Sequence, residues 1–326
     1  MKTPKFWYKD KSSLKYIFYP LSGLWLIGFY FKRFFSKPKK FKVPVICIGN
    51  IISGGSGKTP LTIELAKLFL KKNFIVHVVK KQYKCKNTQA LILINEKSEP
   101  LIVGDEPILI SKIATTWLVK NRKVGIEHAI KKGATLIILD DGYQDFSIIK
   151  DYNILTINQM QQFGNKSIIP AGPLREKIYS GIQRADSIFY YGNMGSLDPI
   201  ILNSSKPITY AKLLYEKKLF KNVKNKNILA FAGIAHPENF FISVMNYGFN
   251  LVKKIEYPDH YRYKKKDFKK IILMSEKFKL TIFTTEKDYV KVPKEFKNKI
   301  LPIPLIVQFN QDVLYNLFIR KIKKNA

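Results

Sequence analysis

Six consecutive residues, Gly54-Gly-Ser-Gly-Lys-Thr59, carry the strongest chemical signal in the chain. Glycines at 54, 55 and 57 let backbone N–H groups turn inward around phosphate oxygens, with Ser56 between them in the loop. A helix starting at the end of the turn adds partial positive charge at the same place. Lys58 is spaced to reach the β- and γ-phosphates of a nucleotide, and the Thr59 hydroxyl to ligate Mg²⁺. With Ser53 in front, residues 53–59 are the expected site for ATP. One position departs from the usual pattern: Ile52 stands where the first glycine of such a loop belongs.

A second acidic element completes this chemistry. The apolar run Leu136-Ile-Ile-Leu139 leads straight into Asp140-Asp141-Gly142. A strand ending in acid is how phosphate-loop enzymes set carboxylates beside Mg²⁺, and ligands collect at the carboxyl ends of parallel strands. Taken alone, the same residues read equally well as a strand closed by an Asp-Gly turn. Taken with Lys58 and Thr59, they read as a metal-binding pair.

These groups need a frame to hold them. Val43–Ile48, Phe74–Val79, Leu91–Ile94 and Leu136–Leu139 are short apolar runs that read as buried strands. Leu61–Leu70, Glu106–Trp117 and Arg122–Lys131 read as helices between them. The alternation predicts an α/β fold, a mostly parallel sheet with helices on both faces. Near Ser196–Lys206 the pattern breaks. Strands at Ile228–Ala232, Phe249–Ile255 and Leu280–Thr284 follow, with helices near Glu238–Met245, Lys264–Lys277 and Gln311–Lys323. The expected division is therefore residues 1–40 as an N-terminal helix, 41–200 as the phosphate-loop lobe and 201–326 as a smaller α/β lobe.

The chain has 326 residues and a formal net charge of +33, enough to attract phosphate, nucleic acid or anionic lipid. Abundant Lys, Ile and Asn read equally as compositional drift with a solvated surface, so charge alone does not choose a partner. No helix-turn-helix, zinc-finger or RNP signature favours nucleic acid. Cys47 lies in an apolar run and reads as core; Cys85, between two lysines, reads as an inert surface thiol. No disulfide framework is indicated, which fits a reducing cytoplasm. Tyr16–Phe31 is an uncharged, aromatic-rich run too short to span a bilayer, which takes about 20 residues. No small-residue cleavage site follows it, so it is not read as a signal peptide. With basic residues on both flanks it reads as a membrane-dipping helix, a buried core helix being the alternative.

Several blocks together resemble one family, the tetraacyldisaccharide 4′-kinases of lipid A synthesis in Gram-negative bacteria. They are Val43–Asn50 with the phosphate loop, Gly104-Asp-Glu-Pro107, Asp140-Asp-Gly-Tyr-Gln144 and Pro170-Ala-Gly-Pro-Leu-Arg-Glu176. Phe231–Asn239, Pro258-Asp-His260 and Thr285-Glu-Lys-Asp288 continue the series in order over nearly the whole chain. The resemblance implies transfer of the ATP γ-phosphate to the 4′-hydroxyl of a lipid-linked disaccharide 1-phosphate, giving lipid IVA. It implies work at the cytoplasmic face of the inner membrane, on an anionic surface.

It also implies roles by motif. Asp105 is the catalytic carboxylate and His260 its partner. Asp140, Asp141 and Glu176 are acidic positions linked to Mg²⁺ or to active-site organisation, and Arg175 is a clamp for phosphate charge. Gln144 also matches, while His77 and His128 read as structural or surface-exposed and His236 receives no role. Two departures stand out. Lys80-Lys-Gln-Tyr83 replaces a Ser-Arg-Gly-Tyr block, so that Lys81 stands for Arg and Gln82 for Gly. Asp145 replaces a His after Gln144. The alternative function is a membrane-recruited regulatory ATPase. Ser53, where one deviant class of that kind carries Lys, argues against it. The sequence leaves the oligomeric state open.

Overall fold

Buried runs of β-branched residues build the main sheet. The computed structural model describes residues 4–9, 13–82, 89–216, 220 and 223–325; Tyr83 and Cys85 lie outside them. In chain order the elements are α1 (Leu14–Phe34), β1 (Val45–Gly49), α2 (Lys58–Lys71), β2 (Val76–Lys81), β3 (Leu91–Ile94), α3 (Pro100–Val103) and α4 (Asp105–Ser111). Next come β4 (Thr115–Val119), α5 (Arg122–Lys131), β5 (Leu136–Asp140), β6 (Tyr152–Asn158), α6 (Ile178–Arg184), β7 (Ser187–Tyr191), α7 (Pro199–Leu202) and β8 (Ile208–Tyr215). The chain continues through β9 (Asn227–Ala232), α8 (Pro237–Asn246), β10 (Asn250–Glu256), α9 (Lys265–Lys277), β11 (Thr281–Thr285) and α10 (Glu286–Tyr289). It ends with β12 (Ile300–Ile303), β13 (Leu305–Phe309) and α11 (Gln311–Asn325).

The larger sheet has the order β13-β8-β7-β6-β1-β5-β2-β4-β3, parallel throughout except for its two edge strands, β13 and β3. Every residue of β1 and of β5 is buried, as strands covered on both faces must be. Helix α2 buries Leu61, Leu65, Leu68 and Phe69, spaced to line one helical face, against this sheet. The smaller sheet, β10-β9-β11-β12, is wholly parallel, with Phe240, Phe241 and Phe283 in a core of its own.

Three expectations change. The segment Glu106–Trp117 is not one helix: it splits into α4 and β4. Thr115-Thr-Trp-Leu-Val119 is rich in residues that suit a strand, and pairing with β2 overrides the helical spacing before it. The lobe boundary moves as well. Strand β8 and strand β13 pair antiparallel within the larger sheet, Tyr215 opposite Leu305, and α11 packs Phe318 on Phe69. The smaller sheet therefore comes only from residues 227–303, set between two strands of the first lobe. Finally, β6, β7 and β8 fill a half of the main sheet that the expected strands left empty.

Helix α1 lies against the loop that follows β6. Ser22 donates to the Ile168 carbonyl at 2.8 Å, and Trp25 Nε1 to the Arg175 carbonyl at 2.9 Å. Ser22 and Phe29 are its only buried residues, while Ile17, Leu24, Phe31 and Phe34 stand out in solvent. Among the described residues no helix is long and apolar enough to cross a membrane.

Candidate active site

The phosphate loop leaves β1 and is held from three sides. Ile51 and Ile52 are buried in the core, and Ile52 forms a bridge to Leu174. The position that departs from the usual glycine thus anchors the loop. Ser53 N donates to the Pro173 carbonyl and Arg175 N to the Ile51 carbonyl, each at 2.7 Å, which ties Arg175 to the loop. Ser56 Oγ lies 2.9 Å from Thr156 Oγ1 on β6, and Tyr191 donates to the Gly57 carbonyl at 2.7 Å. Gly57 caps α2 at φ +75°, and a Cβ there would lie 2.5 Å from the Tyr191 ring, so both backbone and space require glycine. Gly55 is exposed, and a side chain there would meet nothing within 4 Å; the mouth of the loop is open.

Strand β5 pairs beside β1 and delivers its two aspartates to this mouth. Asp140 is wholly buried. Its Oδ1 accepts from Thr62 at 3.3 Å and its Oδ2 from Thr59 at 3.5 Å. Asp141 takes the left-handed conformation at φ +57° and faces Lys58 Nζ at 3.7 Å and Arg175 at 3.3 Å. Burial works against its charge, but Lys58 and then Arg175 hold its carboxyl well below the usual range. Arg122 donates to the Asp141 carbonyl at 2.6 Å and pairs with Asp145 at 3.1 Å. Asp145, which departs from the resembling family, thus orients a cation that grips the Asp141 backbone.

Glu176 is fully buried. Both its oxygens accept from Arg184, at 2.6 and 2.9 Å, and Oε1 also accepts from Gln144 at 2.9 Å. Gln144 donates in turn to the Asn50 carbonyl at the root of the loop. With its oxygens engaged by Arg184 and Gln144, Glu176 orients Gln144 beside the loop.

Asp105 and His260 come from different lobes and meet. Gly104, at φ +89°, opens α4, and Asp105 is its first residue. Asp105 Oδ1 lies 3.4 Å from His260 Nδ1, and Oδ2 lies 3.4 Å from Lys291 Nζ and 4.0 Å from Lys287 Nζ. Burial opposes the charged carboxylate, yet the His260 hydrogen bond and then the two lysines hold Asp105 ionised, far below its usual pKa. The same hydrogen bond raises the His260 pKa above the ordinary 6.5. A raised histidine pKa stabilises the fold fully below the unfolded value and loses that contribution as pH rises through the folded one. Accordingly, proton NMR of His260 should titrate above 6.5 in the native protein and fall toward 6.5 in Asp105→Asn. An unchanged midpoint in that variant would show that the two side chains do not meet in solution. The chain has four histidines, so the signal is assignable by substitution.

Sequence reasoning missed the link between these two centres. Lys80, at the end of β2, bonds the Asp140 carboxylate and also Glu106 at 2.8 Å. Burial works to discharge Lys80, but Asp140 and Glu106 raise its pKa beyond the usual lysine range. Lys80 in turn brings Glu106 down to about 2. Lys287 stands 4.0 Å from Glu106 and 3.3 Å from Asp259. Asp288, wholly buried, accepts from Gly233 N and Thr285 at 2.8 Å each. Glu106, Lys287 and Asp288 all lay inside the motif blocks, and their charge type was the available signal. His77 is buried and structural: it accepts from Trp117, whose ring His128 meets edge-on at 4.6 Å. His236 is exposed at the start of α8.

Two charged centres thus face each other, an anion-holding loop with paired acids and a carboxylate–histidine pair. That arrangement suits moving a phosphoryl group onto a hydroxyl. Residues 14–323 match the family described as tetraacyldisaccharide-1-P 4′-kinase. A tetraacyldisaccharide 4′-kinase of Rickettsia bellii is 36% identical, over 89% of each chain. One from Bartonella tribocorum is 32% identical over 99% of this chain and 93% of its own. The crystal structure of LpxK from Aquifex aeolicus in complex with ATP superposes with a TM-score of 0.75 at 25% identity, over 94% of this chain and 99% of that one. A regulatory ATPase without a lipid acceptor finds no support in these matches. Sequence, fold and the meeting of the two centres agree, and the chain belongs to the tetraacyldisaccharide-1-P 4′-kinase family.

Proposed function

We propose that this ATP-dependent kinase moves the γ-phosphate of ATP to the 4′-hydroxyl of a tetraacyldisaccharide 1-phosphate, forming lipid IVA, at the cytoplasmic face of an anionic inner membrane. One observation carries the reading. Asp105 and His260 meet across the lobes, and Lys80 with Glu106 joins that pair to Asp140 behind Thr59.

The loop at 53–59 and Lys58 hold the triphosphate, with Arg175 beside Asp141 as a further cation for its charge. Asp105 accepts the hydrogen bond of the sugar hydroxyl. As the bond from the sugar oxygen to the γ-phosphorus forms and the bond to the β-phosphate oxygen breaks, the proton passes to Asp105 and ADP leaves. His260 and Lys291 keep the carboxylate charged and aimed until then.

The oxygen donors present fit Mg²⁺. Thr59 Oγ1, backed by Asp140, and Asp141 would hold it together with phosphate oxygens, since no cluster of three or more ligating side chains exists among the described residues. When bound, the metal neutralises charge on the transferred group. Helix α1 supports the membrane part of the reading, because its exposed face presents Ile17, Leu24 and Phe31 with Lys32 and Arg33 in its last turn.

The test is an acceptor assay. Radiolabelled ATP, Mg²⁺ and the disaccharide lipid in anionic vesicles should yield labelled lipid, with the protein co-sedimenting. ATP hydrolysis with no labelled lipid would overturn the kinase reading. Product formed by protein that stays in the supernatant would overturn the membrane part.

A further inference from the structure

Lys80 is a cation in the site that the transfer itself does not use. It sits opposite Asp140 in the β2–β5 register, with only 15% of its side chain exposed. Its ammonium bonds the Asp140 oxygen that Thr59 also approaches, and it bonds Glu106. Asp141, the next carboxylate, faces Lys58 and Arg175. Three carboxylates around the mouth of the loop, Asp140, Asp141 and Glu106, are thus met by Lys80, Lys58 and Arg175, and Lys287 also stands 4.0 Å from Glu106.

A divalent cation entering alone would find no net negative field there. It would also approach a fixed ammonium, and like charges a few ångströms apart in a partly buried site repel strongly. Mg²⁺ sheds water reluctantly and gains most from phosphate oxygens. A metal already carried by the triphosphate brings its own negative charge, which Lys58 and Arg175 attract.

We propose that Lys80 is a built-in counter-cation that denies the nucleotide-free site a metal of its own, so that the metal enters only as its nucleotide complex. The proposal rests on reading the Thr59–Asp140 end as the metal–nucleotide site. Lys80 is a positioning residue in this scheme: it acts through Asp140 and Glu106 and touches no reacting atom.

Electron paramagnetic resonance of Mn²⁺ tests it in the full chain. The native protein should bind Mn²⁺ with ADP and far more weakly without it. Lys80→Met should bind Mn²⁺ without nucleotide at least about tenfold tighter than the native protein, ~1.4 kcal/mol. Lys80→Arg should keep the native behaviour. Lys80→Met/Glu106→Gln, which restores the charge balance and guards against misfolding of the single variant, should return most of the way. Unchanged Mn²⁺ affinity in a folded Lys80→Met overturns the inference and leaves the nucleotide site standing. Native protein that holds free Mn²⁺ as tightly as Mn²⁺ with ADP overturns it without any variant. Native protein that binds neither overturns the site reading and the inference together.

Discussion

Lys58→Ala should lower phosphate transfer by about 10³-fold, the scale set by losing a preorganised charge at the transition state. Lys58 is the first residue of α2, so its ammonium adds to the positive end of the helix where the proposed site places phosphates. Its side chain is 12% exposed and reaches over the loop to Asp141. The fold should survive the change, because Arg175 remains beside Asp141 and the loop is anchored by Ile52, Tyr191 and Thr156. The checks are turnover with the disaccharide acceptor and a thermal melt. Transfer within about tenfold of native, in a variant that melts normally, would remove Lys58 from the role given to it.

Asp105→Asn should slow transfer by about 10²-fold, at the lower end of what a positioned base contributes. Nucleotide binding should be nearly unaltered, since Asp105 touches neither the loop nor Thr59. Asn is preferred to Ala because Asp105 is almost wholly buried and a cavity would confuse the result. The substitution leaves Lys291 with Asp288 still at 3.2 Å, which limits the damage to the second lobe. Equilibrium binding of ATP beside single-turnover transfer separates the two effects. A variant that loses ATP affinity in step with turnover would mean that Asp105 holds the lobes together and does not act on the acceptor.

The parts of this site that sequence made legible are those coded locally. The glycines, Lys58 and Thr59 are contiguous, and Asp140–Asp141 follow directly on an apolar strand. Their proximity then follows from one rule of parallel sheets. Asp105 and His260 were reached through resemblance to a family, because nothing local joins a helix start in one lobe to a loop in the other. Lys80 is hidden for a physical reason: strand register, not local sequence, decides that Lys80 turns inward and Lys81 outward. The overrun of the helix at Glu106–Trp117 has a similar origin. Short apolar runs fit either period, and the partner strand chooses. The lobe boundary was hidden because β13 joins β8 across the whole second lobe, a pairing that leaves no mark in nearby residues.

That pairing has a mechanical consequence. The second lobe leaves the first and re-enters it through two neighbouring strands bonded to each other, so it hangs on a ribbon and not on a single thread. A ribbon bends across its face but resists stretch. Swinging on it would carry His260 toward or away from Asp105 along a narrow arc.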